Sequence, residues 1–189
     1  MSSNARIMAV AIGGSAGAVA SLSLILKELP VDYRPTVFVT VHLRADSKSV
    51  LVDVLRAQCQ IEVCEAEDKM PIRQGTAYIA PPNYHLLVEN TGALALSTDE
   101  PVHFSRPSID VLFESAADAY GAALVGVVLS GANRDGAHGL SAIRAAGGIV
   151  MIEDPSAAYA STMPLAAWNA CPEAQVGTPG QLASFLKQL

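Results

Sequence analysis

Short apolar runs rich in β-branched residues alternate with longer helical segments along this chain of 189 residues. That order is typical of βαβ units, in which helices cover both faces of a mainly parallel sheet. We therefore predict an α/β fold, doubly wound, with a mainly parallel sheet flanked by helices. The predicted strands are 6–12, 35–41, 61–64, 77–79, 123–129 and 149–152, and the predicted helices are 16–29, 47–58, 108–120, 137–146 and 179–189.

One segment departs from this alternation. Residues 85–89 and 93–97 are separated by Asn90-Thr91-Gly92, a sequence typical of the turn between two antiparallel strands. We predict an antiparallel β-hairpin excursion here, lying as a flap at the edge of the sheet. No repeat, linker or block of charge divides the sequence, so residues 1–189 are predicted to form a single domain.

The composition excludes two classes of protein. With 51% hydrophobic and only 16% charged residues, the chain has ample material for a core and is not a disordered protein. Lys and Arg number 12 against 18 Asp and Glu, for a formal net charge of -6, so we expect no nucleic-acid partner. Cysteines at 59, 64 and 171 lack the spacing of a zinc site, and we expect reduced, mostly buried thiols.

The uncharged run 7–26 is long enough to cross a bilayer or to pass for a secretory signal. Gly13, Gly14 and Gly17 interrupt it with turn-forming residues where a membrane helix needs continuous apolar ones. We therefore interpret the run as a buried strand, a tight turn and a helix. The expectation is a cytoplasmic protein without membrane insertion.

Residues 13–17, Gly-Gly-Ser-Ala-Gly, match the pattern G-x-S-x-G and stand between a predicted strand and a predicted helix. In that setting a tight turn raises the Ser15 hydroxyl above the sheet edge, and N–H groups at the helix start can stabilise an oxyanion. The alternative is a phosphate-binding turn of a nucleotide domain. The glycine spacing does not fit G-x-G-x-x-G, and the second strand ends in Val41-His42 without an acidic residue for a ribose, but the motif alone leaves both readings open.

Two further polar residues follow predicted strands. His42 comes directly after the second strand, and Asp135 follows the strand 123–129, so both should reach the edge that carries Ser15. An imidazole with a reference pKa of about 6.5 can act as base and then as acid, and a carboxylate can orient it and stabilise its cation. Taken alone, Asp135 is equally a turn or N-cap residue. Together the three predict a nucleophile, a base and an acid.

The neighbouring residues are weaker candidates. His85, His103 and His138 are placed less well than His42 to act as the base. Arg44 and Arg134 flank the predicted site, where they either steer an acidic partner or are simply solvated. The candidate oxyanion or substrate contacts are Ala16, Ala132, Asn133 and Arg134.

Several longer motifs extend this picture over nearly the whole chain. They are AIGGSAG at 11–17, VTVHL at 39–43, GTAYIAPPNYHLLV at 75–88, RPSIDVLFESAA at 106–117, GVVLSGANRDGAHGL at 126–140, AGGIVMIEDP at 146–155 and the pair Met163-Pro164. On these motifs the chain resembles the catalytic domain of the chemotaxis protein-glutamate methylesterases, the CheB type.

The resemblance implies a serine hydrolase that demethylates glutamyl methyl esters on chemoreceptor cytoplasmic helices and releases methanol, with an accompanying glutaminyl deamidase activity. It assigns the nucleophile to Ser15, the base to His42 and the acid to Asp135. It implies no metal or organic cofactor. The reaction it implies begins with attack by Ser15, continues with oxyanion capture by backbone N–H groups and ends with water activated by His42.

The chain departs from the family's pattern in three respects. The family often has Thr after the nucleophile and Met in the loop before the acid, where this chain has Ala16 and Ala132, which predicts a roomier pocket wall or altered hydrogen bonding. Typical members also carry an N-terminal phosphorylatable receiver domain, for which 189 residues leave no room. We therefore expect a stand-alone esterase domain, regulated differently or not by phosphorylation in cis. Two alternatives stay open here: a non-catalytic receptor- or partner-binding domain with the same fold, and a nucleotide-binding Rossmann-like domain.

Overall fold

A computed structural model describes residues 6–42 and 50–189. The strands are β1 (Ala9–Gly14), β2 (Thr36–Val41), β3 (Glu62–Glu65), β4 (Thr76–Ile79), β5 (His85–Val88), β6 (Leu94–Ser97), β7 (Leu124–Val128), β8 (Ile149–Glu153) and β9 (Gln175–Gly177). Seven of them form one sheet in the order β3-β4-β2-β1-β7-β8-β9, and every neighbouring pair is parallel. This arrangement confirms the predicted α/β fold.

Helices cover both faces of the sheet. They are α1 (Ala18–Lys27), α2 (Val50–Gln58), α3 (Ile109–Tyr120), α4 (Ala137–Ala145), α5 (Thr162–Ala170) and α6 (Pro179–Leu186). On one face α1, α2 and α6 bury Leu22, Leu55 and Leu182 against the sheet. On the other face α3, α4 and α5 form a second core around Phe113 and Ile143. Two cores on one sheet are the doubly wound architecture predicted from the alternation of strands and helices.

The prediction missed two elements and misplaced several ends. The strand β9 is a three-residue edge strand, and the helix α5 lies in a segment that carried no clear helical pattern. The helix predicted at 47–58 begins among the described residues at Val50, because 43–49 lie outside them. The helix predicted at 108–120 starts one residue later, with Ser108 as its N-cap. These shifts are of the size expected for boundaries read from a pattern.

The predicted hairpin forms, but not as a flap on the sheet edge. The strands β5 and β6 pair antiparallel as a separate two-stranded sheet. Leu86 and Leu94 are fully buried in the second core, and the Val88 N–H donates to the hydroxyl of Ser115 in α3 at 3.1 Å. The apolar side of the hairpin therefore packs against α3 and not along the sheet edge. This packing removes its leucine side chains from water, which stabilises the arrangement.

The expectation for the uncharged run 7–26 is confirmed, since it forms β1, a turn and most of α1. The expectation of mostly buried thiols holds only in part: all three cysteines are free, but Cys171 alone is buried and the other two are half-buried. In the parts of the chain that are described, no helix combines the length and the hydropathy needed to cross a membrane.

Three central strands end together at the carboxyl edge of the sheet. Gly14 of β1 pairs with Val41 of β2, and β7 pairs with the other side of β1. Ser15, His42 and the loop after β7 therefore leave the sheet side by side, as residues following neighbouring parallel strands must.

Gly139 in α4 packs directly on α3, and we predict that Gly139→Ala lowers the free energy of unfolding by about 1–3 kcal/mol. A Cβ at this position would lie 2.6 Å from the Phe113 Cβ and 3.0 Å from the Asp110 backbone, so the two helices would have to separate. Gly180 in α6 is the matched control, since nothing lies within 4 Å of its Cβ position. Gly180→Ala should raise stability by up to about 1 kcal/mol through helix propensity. Urea denaturation measures both, and a Gly139→Ala protein as stable as wild type would contradict the close packing.

Candidate active site

Ser15 lies in the turn between β1 and α1. Its N–H donates to the Ser130 carbonyl at 2.9 Å, which joins the turn to the end of β7. The turn is tight: a Cβ on Gly14 would lie 2.4 Å from the Ala18 Cβ, and Gly17 has a φ of 82°. Sterics therefore require glycine at both positions. The Ser15 side chain is half-buried and makes no hydrogen bond within 6–42 or 50–189.

His42 leaves the sheet beside Ser15. Its N–H donates to the carbonyl of Gly14 at 3.0 Å, and its Nε2 lies 2.8 Å from Oδ2 of Asp135. The side chain is 12% exposed, so a substrate can reach it. Because the carboxylate can only accept, the neutral imidazole in this contact is the tautomer with its proton on Nε2 and its lone pair on Nδ1. The Nδ1 atom is therefore the one that can take up a proton in a reaction.

Asp135 is fully buried, and its carboxylate lies at the N-terminus of a helix that is not its own. Its oxygens accept from the N–H groups of Ile109 at 2.7 Å and Asp110 at 3.1 Å and from the Ser108 hydroxyl at 2.9 Å, all at the start of α3. Burial by itself raises the pKa of Asp135, but hydrogen bonds from His42 and from these two N–H groups outweigh it and hold the pKa below its ordinary value. Asp135 is thus an anion stabilised by a helix start.

Asp110 makes the reciprocal contact. It belongs to the first turn of α3, and its carboxylate accepts from the Gly139 N–H in α4 at 2.7 Å, with the His103 Nε2 at 3.5 Å. Burial raises the pKa of Asp110, and the nearby charge of Asp135 adds to this, against the lowering by the Gly139 N–H. Two buried carboxyl groups therefore connect the starts of α3 and α4. Asp135, which precedes α4, accepts from α3, and Asp110 in α3 accepts from α4.

Two of the three predicted residues are in direct contact, and the third is their neighbour. His42 and Asp135 form the pair described above, whereas no hydrogen bond joins the Ser15 hydroxyl to His42. In the described part of the chain, the hydroxyl at Nδ1 is that of Ser105, at 3.4 Å. Ser15 is adjacent to His42 through the backbone, since the carbonyl of Gly14, the residue before Ser15, accepts the His42 N–H.

The remaining predicted residues have varied surroundings. Ala16, Ala132 and Arg134 are exposed beside the site. Asn133 accepts a hydrogen bond from the Asp135 N–H at 3.1 Å and so shapes the loop itself. The three other histidines do not contact the His42 pair: His85 is buried, His103 faces Asp110, and His138 is exposed and paired with Glu114; Arg44 lies outside the described residues.

Three residues at the site were not predicted. Ser105 and Ser108 contact His42 and Asp135 from the segment that precedes α3. Glu153 ends β8 and accepts the N–H of Ser130, the residue whose carbonyl accepts the Ser15 N–H. A polar residue after an apolar strand was the signal that had pointed to His42, and the same signal identifies Glu153. The two serines carry no such signal, because they approach from outside the sheet.

Glu153 is a buried carboxylate that holds the end of β7. Its Oε2 accepts from the Ser130 N–H at 2.8 Å and its Oε1 from the Ser21 hydroxyl at 2.9 Å. The Ser130 hydroxyl in turn donates to the Ala16 carbonyl at 2.7 Å. The backbone on both sides of Ser15 is therefore fixed through Ser130, and Glu153 keeps Ser130 in place.

We predict that Asp135→Asn lowers the free energy of unfolding at pH 7 by about 2–4 kcal/mol, because an amide NH2 would face N–H donors at the start of α3. The pKa of Asp135 is lowered on folding, so its stabilisation is present above the unfolded value of about 3.9 and is lost as the pH falls through the folded pKa. The difference in the free energy of unfolding between wild type and Asp135→Asn, measured by urea denaturation, should therefore narrow below about pH 4.

Asp110→Asn is the matched control for that experiment, since the pKa of Asp110 is raised. Here the free energy of unfolding of wild type should rise relative to that of the variant as the pH falls. This change is opposite in sign to the one expected for Asp135→Asn. A penalty for Asp135→Asn that stays constant down to pH 3 would contradict an ionised Asp135.

We predict different outcomes for two substitutions of Glu153. Glu153→Gln keeps an acceptor for the Ser130 N–H and should change the free energy of unfolding by less than about 1 kcal/mol. Glu153→Leu leaves the Ser130 N–H and the Ser21 hydroxyl unpaired in a dry site and should cost about 2–4 kcal/mol. Thermal or urea unfolding measures both, and equal penalties would show that the hydrogen bonds are unimportant.

Comparison with known proteins identifies the family of this chain. The sequence profile of the CheB methylesterase family matches residues 10–186. A Leptospira interrogans protein, provisionally assigned as a protein-glutamate methylesterase/protein-glutamine glutaminase, is 43% identical over 162 residues, which cover 86% of this chain and 84% of that one. The protein-glutamate methylesterase/protein-glutamine glutaminase of Trichodesmium erythraeum is 36% identical over 162 residues, and the match spans 84% of this chain but 46% of that relative.

The fold agrees as well. The crystal structure of the Thermotoga maritima CheB methylesterase catalytic domain matches with a TM-score of 0.91 and 26% sequence identity, covering 96% of this chain and 98% of that one. A match over almost the whole length in profile, sequence and fold shows that this chain belongs to the CheB methylesterase family.

Proposed function

We propose that this protein is a serine esterase that hydrolyses glutamyl methyl esters on chemoreceptors and releases methanol. The observation that carries the proposal is the 2.8 Å hydrogen bond between His42 Nε2 and buried Asp135, at the edge where β1 delivers Ser15. Membership of the CheB methylesterase family supports it. The proposed substrate lies on the cytoplasmic helices of the receptor, so we propose the same compartment for the enzyme.

The proposed acylation step uses the three residues in turn. The Ser15 side chain rotates toward His42, and its hydroxyl gives a proton to Nδ1 as the oxygen attacks the ester carbonyl. The imidazolium that forms is stabilised by Asp135, whose lowered pKa keeps it ionised at neutral pH. His42 then gives the proton to the methoxy oxygen, methanol leaves, and Ser15 carries the glutamyl acyl group.

The developing oxyanion needs N–H donors, and the Ser15 turn offers them. The N–H groups of Ala16 and Gly17 make no hydrogen bond within the described residues, and they stand at the N-terminus of α1. A donor directly after the nucleophile, together with the positive end of a helix dipole, favours negative charge at this place. We assign the first donor to Ala16 and substrate contacts to Ala132 and Arg134 on the facing loop. Asn133 holds that loop in shape.

The same sequence of steps hydrolyses the side-chain amide of glutamine. Ammonia then replaces methanol as the leaving group, and His42 must deliver its proton to the nitrogen before the bond breaks. We therefore include glutamine deamidation in the proposed activity, as the names of the relatives do.

The packing of the glycines argues against a nucleotide-binding role. In a dinucleotide-binding turn the glycines leave room for the backbone to approach a pyrophosphate. Here a Cβ on Gly13 would lie 2.2 Å from the Ile109 Cγ2, and one on Gly17 would lie 2.4 Å from the Tyr159 Cβ. The space next to these glycines is filled by the protein's own side chains, so the turn serves packing and the presentation of Ser15.

We predict that Ser15→Ala and His42→Ala each lower the rate of methanol release from a methylated receptor by a factor on the order of 10³–10⁶. Because the residues act as a unit, the double variant should be no worse than either single one. A fluorophosphonate probe should label Ser15 in wild type and nothing in Ser15→Ala. Ser184→Ala, exposed on α6, is the control and should keep full activity.

Each contrary result has a definite meaning. Most of the activity surviving in Ser15→Ala would exclude Ser15 as nucleophile. A properly folded wild type that neither releases methanol nor reacts with the probe would favour the non-catalytic binding domain.

A further inference from the structure

His42 and Ser105 both line a cavity beside the proposed catalytic residues. The cavity has a volume of about 290 Å³ and is lined by His42, Asn83, Pro101, Phe104, Ser105, Arg106 and Pro107. Since Nε2 is hydrogen-bonded to Asp135, Nδ1 is the nitrogen of the His42 ring that is left to exchange a proton with a group in the cavity. The hydroxyl of Ser105 lies 3.4 Å from it.

That distance is long for a direct hydrogen bond and short enough for a shared water. A hydrogen bond of this kind is normally about 2.7–3.2 Å. A water about 2.8 Å from both Nδ1 and the Ser105 Oγ completes a triangle whose third side is the observed gap of 3.4 Å. The cavity is far larger than the 10–15 Å³ or so that one water requires.

Ser105 is held rigidly in this position. Its N–H donates to the Val102 carbonyl at 2.9 Å, and the Val102 N–H donates to the Ser105 carbonyl at 3.1 Å. Between these two residues, His103 and Phe104 have φ values of 49° and 62°. Residues other than glycine adopt such left-handed backbone only at a cost in conformational energy. Arg106, the residue after Ser105, is also held in place, because its guanidinium donates to the Thr98 carbonyl at 2.7 Å. A strained turn that is closed on both sides fixes one hydroxyl next to the base.

We propose that Ser105 holds the hydrolytic water against His42 Nδ1 during deacylation. This inference rests on the proposed esterase function. The water gives one hydrogen to Nδ1 while its oxygen attacks the acyl carbon on Ser15, and its second hydrogen is accepted by the Ser105 Oγ. The tetrahedral intermediate then breaks at the bond to the Ser15 oxygen, which takes the proton from the imidazolium, and the free carboxylic acid leaves.

The role is specific to one half of the reaction. In acylation Nδ1 receives its proton from Ser15, and no water is needed. In deacylation the attacking group is a small molecule that must be oriented, and Ser105 supplies the second contact. Removal of the Ser105 hydroxyl should therefore slow deacylation and leave acylation unchanged, whereas a general disturbance of His42 would slow both.

The test separates the two steps with p-nitrophenyl acetate as the probe. The burst of p-nitrophenolate reports acylation, and the decay of the acetylated protein, followed by intact mass after removal of excess ester, reports deacylation. For Ser105→Ala we expect deacylation about tenfold slower and an acylation rate within twofold of wild type. Ser105→Thr retains the hydroxyl and should deacylate within about threefold of wild type.

The controls distinguish this inference from the function on which it rests. Ser15→Ala must give no acetylated protein, and circular dichroism must show all variants folded. Equal deacylation rates in wild type and Ser105→Ala would overturn the role of Ser105, as would a loss of the same size in both steps. If wild type itself forms no acetyl adduct at Ser15, the esterase proposal fails, and this inference fails with it.

Discussion

The start of α3 meets the carboxylate of Asp135, and the rest of the site is arranged around this contact. Two backbone N–H groups and the Ser108 hydroxyl surround a fully buried anion, which leaves one direction free for His42. A buried carboxylate without such donors would be protonated and could not stabilise an imidazolium. The hydrogen bond from His42 and the N–H groups of the helix start together hold the pKa of Asp135 low, and the contact with Asp135 determines that Nδ1 is the imidazole nitrogen turned away from the acid.

Buried carboxylates brace the site in three places, and each accepts a backbone N–H. Asp135 binds α3, Asp110 binds α4, and Glu153 binds the end of β7 next to the Ser15 turn. Backbone donors cannot rotate away as a lysine side chain can, so the acids and the loops they contact hold one another in a single geometry. The rigidity of the site therefore comes from the main chain, and its reactive groups are the few side chains left exposed to the cleft.

Much of the site could be predicted because parallel strands end at a common edge. The polar residues after β1, β2 and β7 were placed together from pattern alone, and the glycines of the Ser15 turn followed from sterics. The strand β9 escaped prediction because it is three residues long, with Gln175 and Val176 both exposed. The helix α5 escaped because Pro164 and small residues blur its apolar face. Ser105 was beyond reach, since its position depends on left-handed backbone at His103 and Phe104, which neither side chain favours.

The strand order also has a consequence for how activity arises during folding. His42 and Asp135 are 93 residues apart in sequence, and they meet only when β2, β1 and β7 have paired across the middle of the sheet. Pairings between such distant segments pay a large loop-closure cost and form slowly compared with local helices. A partly folded chain therefore has no partial site, and the appearance of catalysis on refolding marks completion of the central sheet.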